Sequence, residues 1–367
     1  MSLSELTIVI PVFNRPRYLL RQLEYWKDSD AKILIMDGSS EPLPRNLLAD
    51  LSPNFQYEYI QSEFIERLVS SCQYLNTKYT VLLHDDELYT RRGLEVCIAE
   101  LESDTRLIGC QGRSLYFFYQ SKQVLAHEVY FKNKDVKNNF SDGVTRVKNS
   151  FLNGDPSFAP YALYSVMRTE KWKALIDLSY SRFYGCGYVY ELAFQIGAMA
   201  LGPIKVVEHL LWLRSGENSK QTSSAVNRTI STGEWGTSQE YADEYEDYVK
   251  RLTDVLSVNG VASMYEAEQV VREISAQFFA YSLHKPYRPI AYWQRLLSFT
   301  AKFTPKWFKS LLKRNMTKTL GTVLDYKGIE FSGALDQMRR KGIQFDSVET
   351  RKIHKFLLDF HSEFVNN

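Results

Sequence analysis

Residues 79–89 read YTVLLHDDELY. The run Tyr79 to Leu83 is short, apolar and bounded by polar residues, the pattern of a strand buried on both faces within a parallel sheet. It breaks off at His84, Asp85, Asp86 and Glu87. Acids that close such a strand lie at its carboxyl end, the edge of an open α/β sheet where ligands bind, and clustered carboxylates there suit a hard divalent cation. A solvated turn is the plainer reading of the same three acids.

Upstream, Leu6 to Phe13 (LTIVIPVF) is rich in β-branched residues and reads as the first strand. Asn14, Arg15 and Pro16 break it and open a helix, because proline fits the first helical turn. Leu19, Leu23 and Trp26 give that helix an apolar stripe. Lys32 to Met36 is a second strand that runs into Asp37, Gly38, Ser39 and Ser40, and Tyr57 to Ile60 is a third. Glu63 to Asn76 carries Ile65, Leu68, Val69, Cys72 and Leu75 at helical spacing, and a further helix after the acids carries Leu94, Ile98 and Leu101. Strands and helices alternating in this way predict an α/β layered domain with a mostly parallel central sheet.

Downstream, Leu107 to Phe118 and Val124 to Phe131 read as a hairpin, and Phe158 to Met167 as another strand. A helix is expected over Thr169 to Leu178. The turn Gly185-Cys186-Gly187 then leads into a helix from about Tyr188 to Ala200 that bears Glu191, and Ile204 to Leu213 reads as the closing strand. Ser215 to Gly236 is too polar to build a core and reads as a loop or linker. Three helical stripes follow: Tyr241, Tyr245, Tyr248, Leu252 and Val255; Val270, Ile274, Phe278 and Tyr281; and Ile353, Phe356, Leu357, Phe360 and Phe364. Between the second and third, from Ile274 to Leu324, there is no acid, while residues 285–318 interleave Lys and Arg with Trp, Phe and Tyr. That segment suits an anionic membrane surface. It equally suits a packed helix pair with a solvated basic face. Nucleic acid is not an expected partner, because no binding module accompanies the charge.

The length of 367 residues suggests about two domains, and 44% hydrophobic with 24% charged residues describes a globular protein. A formal net charge of +2 names no partner by itself. The four cysteines, Cys72, Cys97, Cys110 and Cys186, have neither CxxC nor zinc spacing and read as reduced core residues of a cytoplasmic protein. MSLSEL lacks a basic region and a long apolar core, so no signal peptide is expected. No apolar run is long enough to span a bilayer.

Three of these motifs in this order resemble the family 2 glycosyltransferases of the GT-A fold, over about residues 5–215. Pro11, Val12, Phe13, Asn14 and Arg15 match the family's Pro-x-x-Asn-Arg after the first strand, and Asp37-Gly38-Ser39 match its Asp-Asp-Gly-Ser, with Met36 in place of one Asp. The acid turn stands where the DXD motif belongs, in either of two registers. Asp85 and Glu87 keep a carboxylate, a spacer and a carboxylate, whereas the commoner alignment sets His84 at the first Asp.

The resemblance implies a Rossmann-like GT-A sandwich in residues 1–216, followed by a helical region, 217–367, that docks the acceptor or the inner face of the membrane. It implies an inverting enzyme that moves a sugar from a nucleotide-diphosphate sugar, a UDP-sugar, to a hydroxyl of a glycan or lipid-linked glycan in cell-surface polysaccharide synthesis. It implies a divalent cation, Mn²⁺ or Mg²⁺, on Asp86 and Glu87. Donor-binding residues carried over are Pro11, Phe13, Asn14, Arg15, Asp37, Gly38, Ser39, His84, Asp85 and Asp86. Asp37 would accept a hydrogen bond from the imide N–H of uracil. Arg214 and His209, near the end of the last strand, would reach the leaving diphosphate. The family's general base is an acid at the start of a late helix, a place that Glu191 matches. Asp155, in the turn Asn153-Gly154-Asp155-Pro156, is the second candidate.

Two other classes fit parts of the chain. A catalytically silent recognition protein would keep the fold, and the departures at His84 and Met36 suit it. A nucleotidyltransferase would need a Gly-rich phosphate loop after the first strand, and a dinucleotide-binding Rossmann domain would need GxGxxG there. Pro11 and Pro16 stand in that place instead.

Overall fold

The computed structural model describes residues 2–129, 142–151, 162–217, 230–260, 263–284 and 328–362. The chain runs β1 (Leu6–Val12), α1 (Pro16–Trp26), β2 (Lys32–Asp37), α2 (Arg45–Ala49), β3 (Phe55–Tyr59), α3 (Phe64–Ser71), β4 (Tyr79–Leu82), β5 (Leu88–Tyr89) and α4 (Arg91–Ser103). It continues through β6 (Gly109–Gln120), β7 (Gln123–Val129), α5 (Gly143–Phe151), β8 (Val166–Arg168), α6 (Thr169–Tyr180), α7 (Gly187–Leu201) and β9 (Ile204–Ser215). The remaining elements are α8 (Thr232–Thr237), α9 (Ala242–Asn259), α10 (Met264–His284), β10 (Ile329–Glu330), α11 (Phe331–Arg340) and α12 (Ser347–Ser362). This is the mixed α/β architecture expected, a central, mainly parallel sheet with helices at the carboxyl-terminal end.

All seven residues of β1 and all four of β4 are buried, which is why their sequences are continuous apolar runs and do not alternate. The sheet order is β10-β7-β6-β8-β4-β1-β2-β3, and β4, β1, β2 and β3 are mutually parallel. From β1 the chain steps outward to β2 and β3, then returns through α3 to place β4 on the other side of β1. The strand order therefore reverses between β1 and β4. At such a switch point the loops leave in opposite directions and open a crevice beyond the carboxyl ends.

Several elements differ from the sequence expectations; α2, α5, β10 and α11 were not anticipated at all. The helix expected to reach Asn76 ends at Ser71, and Leu75 is buried from the irregular segment after a turn at residues 72–74. The strand expected over Phe158 to Met167 is only β8, preceded by a 3-10 turn at Ala162–Tyr164; residues 158–161 lie outside the described part. β8 is a short antiparallel bridge, pairing with β4 through Tyr79–Arg168 and Thr80–Met167 and with β6 through Gly109–Met167 and Cys110–Val166. The two-residue β5 was unforeseen; it pairs antiparallel with β9 through Leu88–Leu213 and Tyr89–Trp212. The polar stretch from Ser215 to Gly236 ends in α8, whose first turn is capped by Ser231 Oγ accepting from the Glu234 N–H at 3.1 Å. Trp235 of α8 is fully buried against Tyr184, Tyr245, Tyr248 and Phe279, so one large side chain anchors a segment that composition marks as loop.

The helical stripes bury as expected where they are described. Tyr248, Leu252 and Leu256 of α9 join the main core through α7, and Val271 and Ile274 of α10 join it through α9. α11 and α12 cover one face of the β6–β7 hairpin and make a second apolar cluster with Phe117, Val124, Leu335, Met338, Ile353 and Leu357. Phe364 and the basic segment 285–318 lie outside the described residues. No helix among the described residues is long and apolar enough to cross a membrane. Cys97, Cys110 and Cys186 are buried, Cys72 is half-buried, and all four are free thiols.

Candidate active site

The crevice between β1 and β4 is built first by the loops after β1 and β2. Asn14 takes a left-handed backbone, φ 52°, a conformation that asparagine tolerates better than most residues. Its N–H donates to Ser39 Oγ at 2.8 Å, and its Oδ1 accepts from the Ser40 N–H at 2.8 Å, so the two loops are stitched together. Asp37, the last residue of β2, is buried, and its carboxylate is fixed on both sides. Oδ1 accepts the Ser39 N–H at 2.8 Å and Oδ2 accepts the Tyr57 hydroxyl at 2.6 Å. A carboxylate offers about four acceptor positions, so two remain for a ligand. Gly38 is fixed by its neighbour: a Cβ there would lie 1.8 Å from Arg67 Nη1. The Arg67 guanidinium can lie across the loop only because position 38 has no side chain.

Arg67 itself is buried in α3, donates to the Ser62 carbonyl, and leaves Nε without a partner among the described residues. Burial lowers its pKa, against the pull of Asp37. Sequence reading missed Arg67, because an arginine in an amphipathic helix is ordinarily solvated. Phe13 is half-buried with its ring centroid 5.8 Å from that guanidinium, while Pro11 is buried in β1 opposite Met36.

The acid turn is not solvated. Asp85, Asp86 and Glu87 are only 4%, 1% and 4% exposed. Their backbone is held from α1, which Pro16 starts: Gln22 Nε2 donates to the carbonyls of Asp85 at 2.8 Å and Glu87 at 2.7 Å, and Arg21 Nη2 donates to that of Asp86 at 2.5 Å. Trp26 Nε1 fixes Gln22 in turn at 3.0 Å. With the backbone satisfied, the side chains are directed by Arg15, whose Nη1 reaches Asp85 Oδ1 at 2.8 Å and whose Nη2 reaches Asp86 Oδ2 at 3.0 Å. Burial pushes the Asp85 carboxyl up to about 7, and Arg15 opposes it. Burial also pushes Glu87 well up, with the Asp86 charge adding to it, and pushes the His84 imidazole down. Glu87 Oε2 accepts the Trp212 indole N–H at 2.8 Å, and His84 Nε2 lies 3.3 Å from the Tyr164 hydroxyl.

His84, Asp86 and Glu87 each offer a ligand atom, all within 4.8 Å of one another. One imidazole and two carboxylates are a donor set that suits a small divalent cation such as Mn²⁺. Asp85 is turned to Arg15 and is not part of this trio.

The far side of the crevice is α7. Glu191, half-buried in its second turn, is pushed by burial up to about 7, and Arg214 at the end of β9 opposes that shift. The Arg214 charge bears on His84 and Glu87 as well, so one cation faces both the acid turn and α7. The Tyr164 ring stacks on Trp212 at 4.3 Å and meets His84 edge-on at 5.4 Å, which makes an apolar wall around the acids. Asp155, the second base candidate, lies outside the described residues. His209 is not at the site: its Nδ1 lies 3.1 Å from the Leu210 carbonyl, and its charged neighbours are Arg92 and Asp346. β9 presents His209 elsewhere and brings only Arg214 to the crevice. Tyr57, Tyr164 and Trp212 are further site residues that no sequence spacing announced.

No protein family and no curated protein sequence matches the chain. Its backbone does resemble solved structures. S. aureus TarS 1–349 in complex with UDP-GlcNAc aligns with a TM-score of 0.51 at 10% identity, over 78% of this chain and 75% of that one. The same S. aureus segment in complex with UDP aligns at 0.49 with 10% identity, over 78% and 74% of the two chains. Without ligand it aligns at 0.48 with 9% identity, over 79% and 75%. At these identities the fold is what is shared.

Proposed function

We propose that the chain is an inverting glycosyltransferase that moves a sugar from a UDP-sugar to a hydroxyl of a glycan or lipid-linked glycan in cell-surface polysaccharide synthesis. The observation that carries the reading is the convergence, on one edge of the sheet, of a fixed carboxylate (Asp37), a buried acid turn with its own arginine (Arg15) and a raised carboxyl (Glu191). The shared fold with a protein solved with UDP-GlcNAc supports it. Residues 1–216 would form the catalytic unit, and the helical region 217–367 would dock the acceptor or a membrane surface.

Each role follows from the chemistry of the side chain. Asp37 accepts the imide N–H of uracil with the acceptor positions that Ser39 and Tyr57 leave open. Arg15, Arg67 and Arg214 stand around the crevice, and the forked donors of a guanidinium match phosphate oxygens. Glu191, ionised, takes the proton of the acceptor hydroxyl as that oxygen bonds to the anomeric carbon. The bond from that carbon to the diphosphate oxygen breaks on the opposite side, and the electron pair leaves with UDP. A divalent cation held by His84, Asp86 and Glu87 would supply positive charge to the leaving diphosphate. Arg15 supplies one positive charge against Asp85 and Asp86, which leaves room for a cation at the same turn.

The test is release of nucleoside diphosphate from a panel of UDP-, GDP-, CDP- and dTDP-sugars, with Mn²⁺ and with EDTA. Turnover of UDP-sugars that Mn²⁺ quickens and EDTA slows is the expected result. No release from any donor under either condition would leave the fold to a recognition protein.

A further inference from the structure

The two faces of β6 are used differently. Side chains alternate along a strand, and Leu115 and Phe117 are fully buried in the cluster under α11 and α12. Tyr116 and Phe118, on the opposite face, are only half-buried, and they line a cleft of about 900 Å³. Tyr18 of α1 and Tyr119 at the end of β6 add two more rings to its walls. That volume lies toward the upper end of the range of about 300–1,000 Å³ that small-molecule sites occupy.

One end of the cleft is polar, and it shares Arg214 with the crevice. Arg214, paired with Tyr116 in the parallel β6–β9 register, lines the cleft while its charge bears on Glu191, Glu87 and His84. Glu217 accepts from Arg21 Nη1 at 2.9 Å and contacts His361 Nε2 of α12, whose ring stacks on Tyr119 at 4.2 Å. Arg21 is the same residue that holds the Asp86 carbonyl. The last helix thus closes one wall of the cleft and is tied through Glu217 and Arg21 to the acid turn.

Half-buried rings together with a few polar groups suit a ligand that has both an apolar face and a hydroxyl edge. A pyranose has both: its C–H face stacks on tyrosine and phenylalanine rings, and its hydroxyls find donors and acceptors at the rim. Arg214 and Glu217 carry opposite charges, so the walls hold no excess of cations to select an anionic ligand.

We infer that this cleft binds a neutral glycan of more than one sugar unit, with its end hydroxyl directed past Arg214 toward Glu191. The acceptor role rests on the transferase reading above; the binding itself does not.

The experiment is saturation-transfer NMR on the full chain with glucan, chitin and mannan trisaccharides, alongside calorimetric titration of UDP. At least one trisaccharide is expected to receive saturation. Tyr116→Ala is expected to weaken its binding about tenfold or more, with UDP affinity held within about twofold. Gln120→Trp, at an exposed rim position of the cleft, blocks the same space without touching the core, and it is expected to abolish the transfer even if Tyr116→Ala unfolds. Absence of saturation on every trisaccharide, or transfer that survives both substitutions, would overturn the inference. Glycan binding without UDP binding would uphold the cleft and sink the transferase reading.

Discussion

Glu191→Gln is expected to lower the release of UDP from the UDP-sugar that the native chain turns over by about 10²- to 10⁴-fold, the usual contribution of a positioned general base. UDP affinity should stay within about twofold, because glutamine keeps the shape of glutamate and Glu191 contacts no part of the nucleotide in this reading. The native rate should fall as the pH drops below about 7, since burial raises the Glu191 carboxyl to about 7 and only the ionised form accepts a proton. The stability effect has the opposite sign. A carboxyl raised in the folded state contributes its stability in full at low pH and loses it as the pH rises through about 7. The glutamine variant, which cannot ionise, should therefore be at least as stable as the native chain above neutrality. Lost turnover without lost stability is the signature sought in kinetics and urea denaturation run side by side. Turnover that persists in Glu191→Gln would remove Glu191 from the reaction.

Arg15→Ala is expected to destabilise the fold by about 3–5 kcal/mol, because it removes the guanidinium that two buried acids pair with directly. The Arg15 side chain is 14% exposed, and those of Asp85 and Asp86 are 6% and 2% exposed, so water cannot replace the guanidinium. Arg15→Lys should recover only part of the loss, since an ammonium is a point charge and cannot fork to both carboxylates. Urea denaturation reads both variants. Mn²⁺ should raise the midpoint of Arg15→Ala more than that of the native chain, because the variant lacks its resident cation. An unchanged midpoint in Arg15→Ala would mean that the acids are neutralised in another way.

The parallel half of the sheet was legible because β1, β2 and β4 are buried on both faces and write that burial as unbroken apolar runs. The clustering of the loops after them was legible too, since Asn14, Arg15, Asp37 and Ser39 lie within a few residues of their strand ends. The burial of Asp85, Asp86 and Glu87 was not. It is a property of what packs over them, Gln22 from α1 and Trp212 from β9, and neither position carries a signal by its spacing. Arg67 was hidden for a related reason, because only Gly38, far away in sequence, makes room for it. The stripe on α12 predicted a helix, but the contact of His361 with Glu217 depends on tertiary docking.

The most direct measurement is calorimetric titration of UDP against the native chain and Asp37→Ala, each with Mn²⁺ and with EDTA. Asp37 is the one carboxylate whose two oxygens are already oriented by Ser39 and Tyr57. Tight binding to the native chain, enhanced by Mn²⁺ and weakened tenfold or more by Asp37→Ala, is the expected result, since a hydrogen bond to a charged group is worth about 1.5–3 kcal/mol. UDP binding that is indifferent to Asp37→Ala, or absent from the native chain in both buffers, would contradict a nucleotide-sugar site at this edge of the sheet.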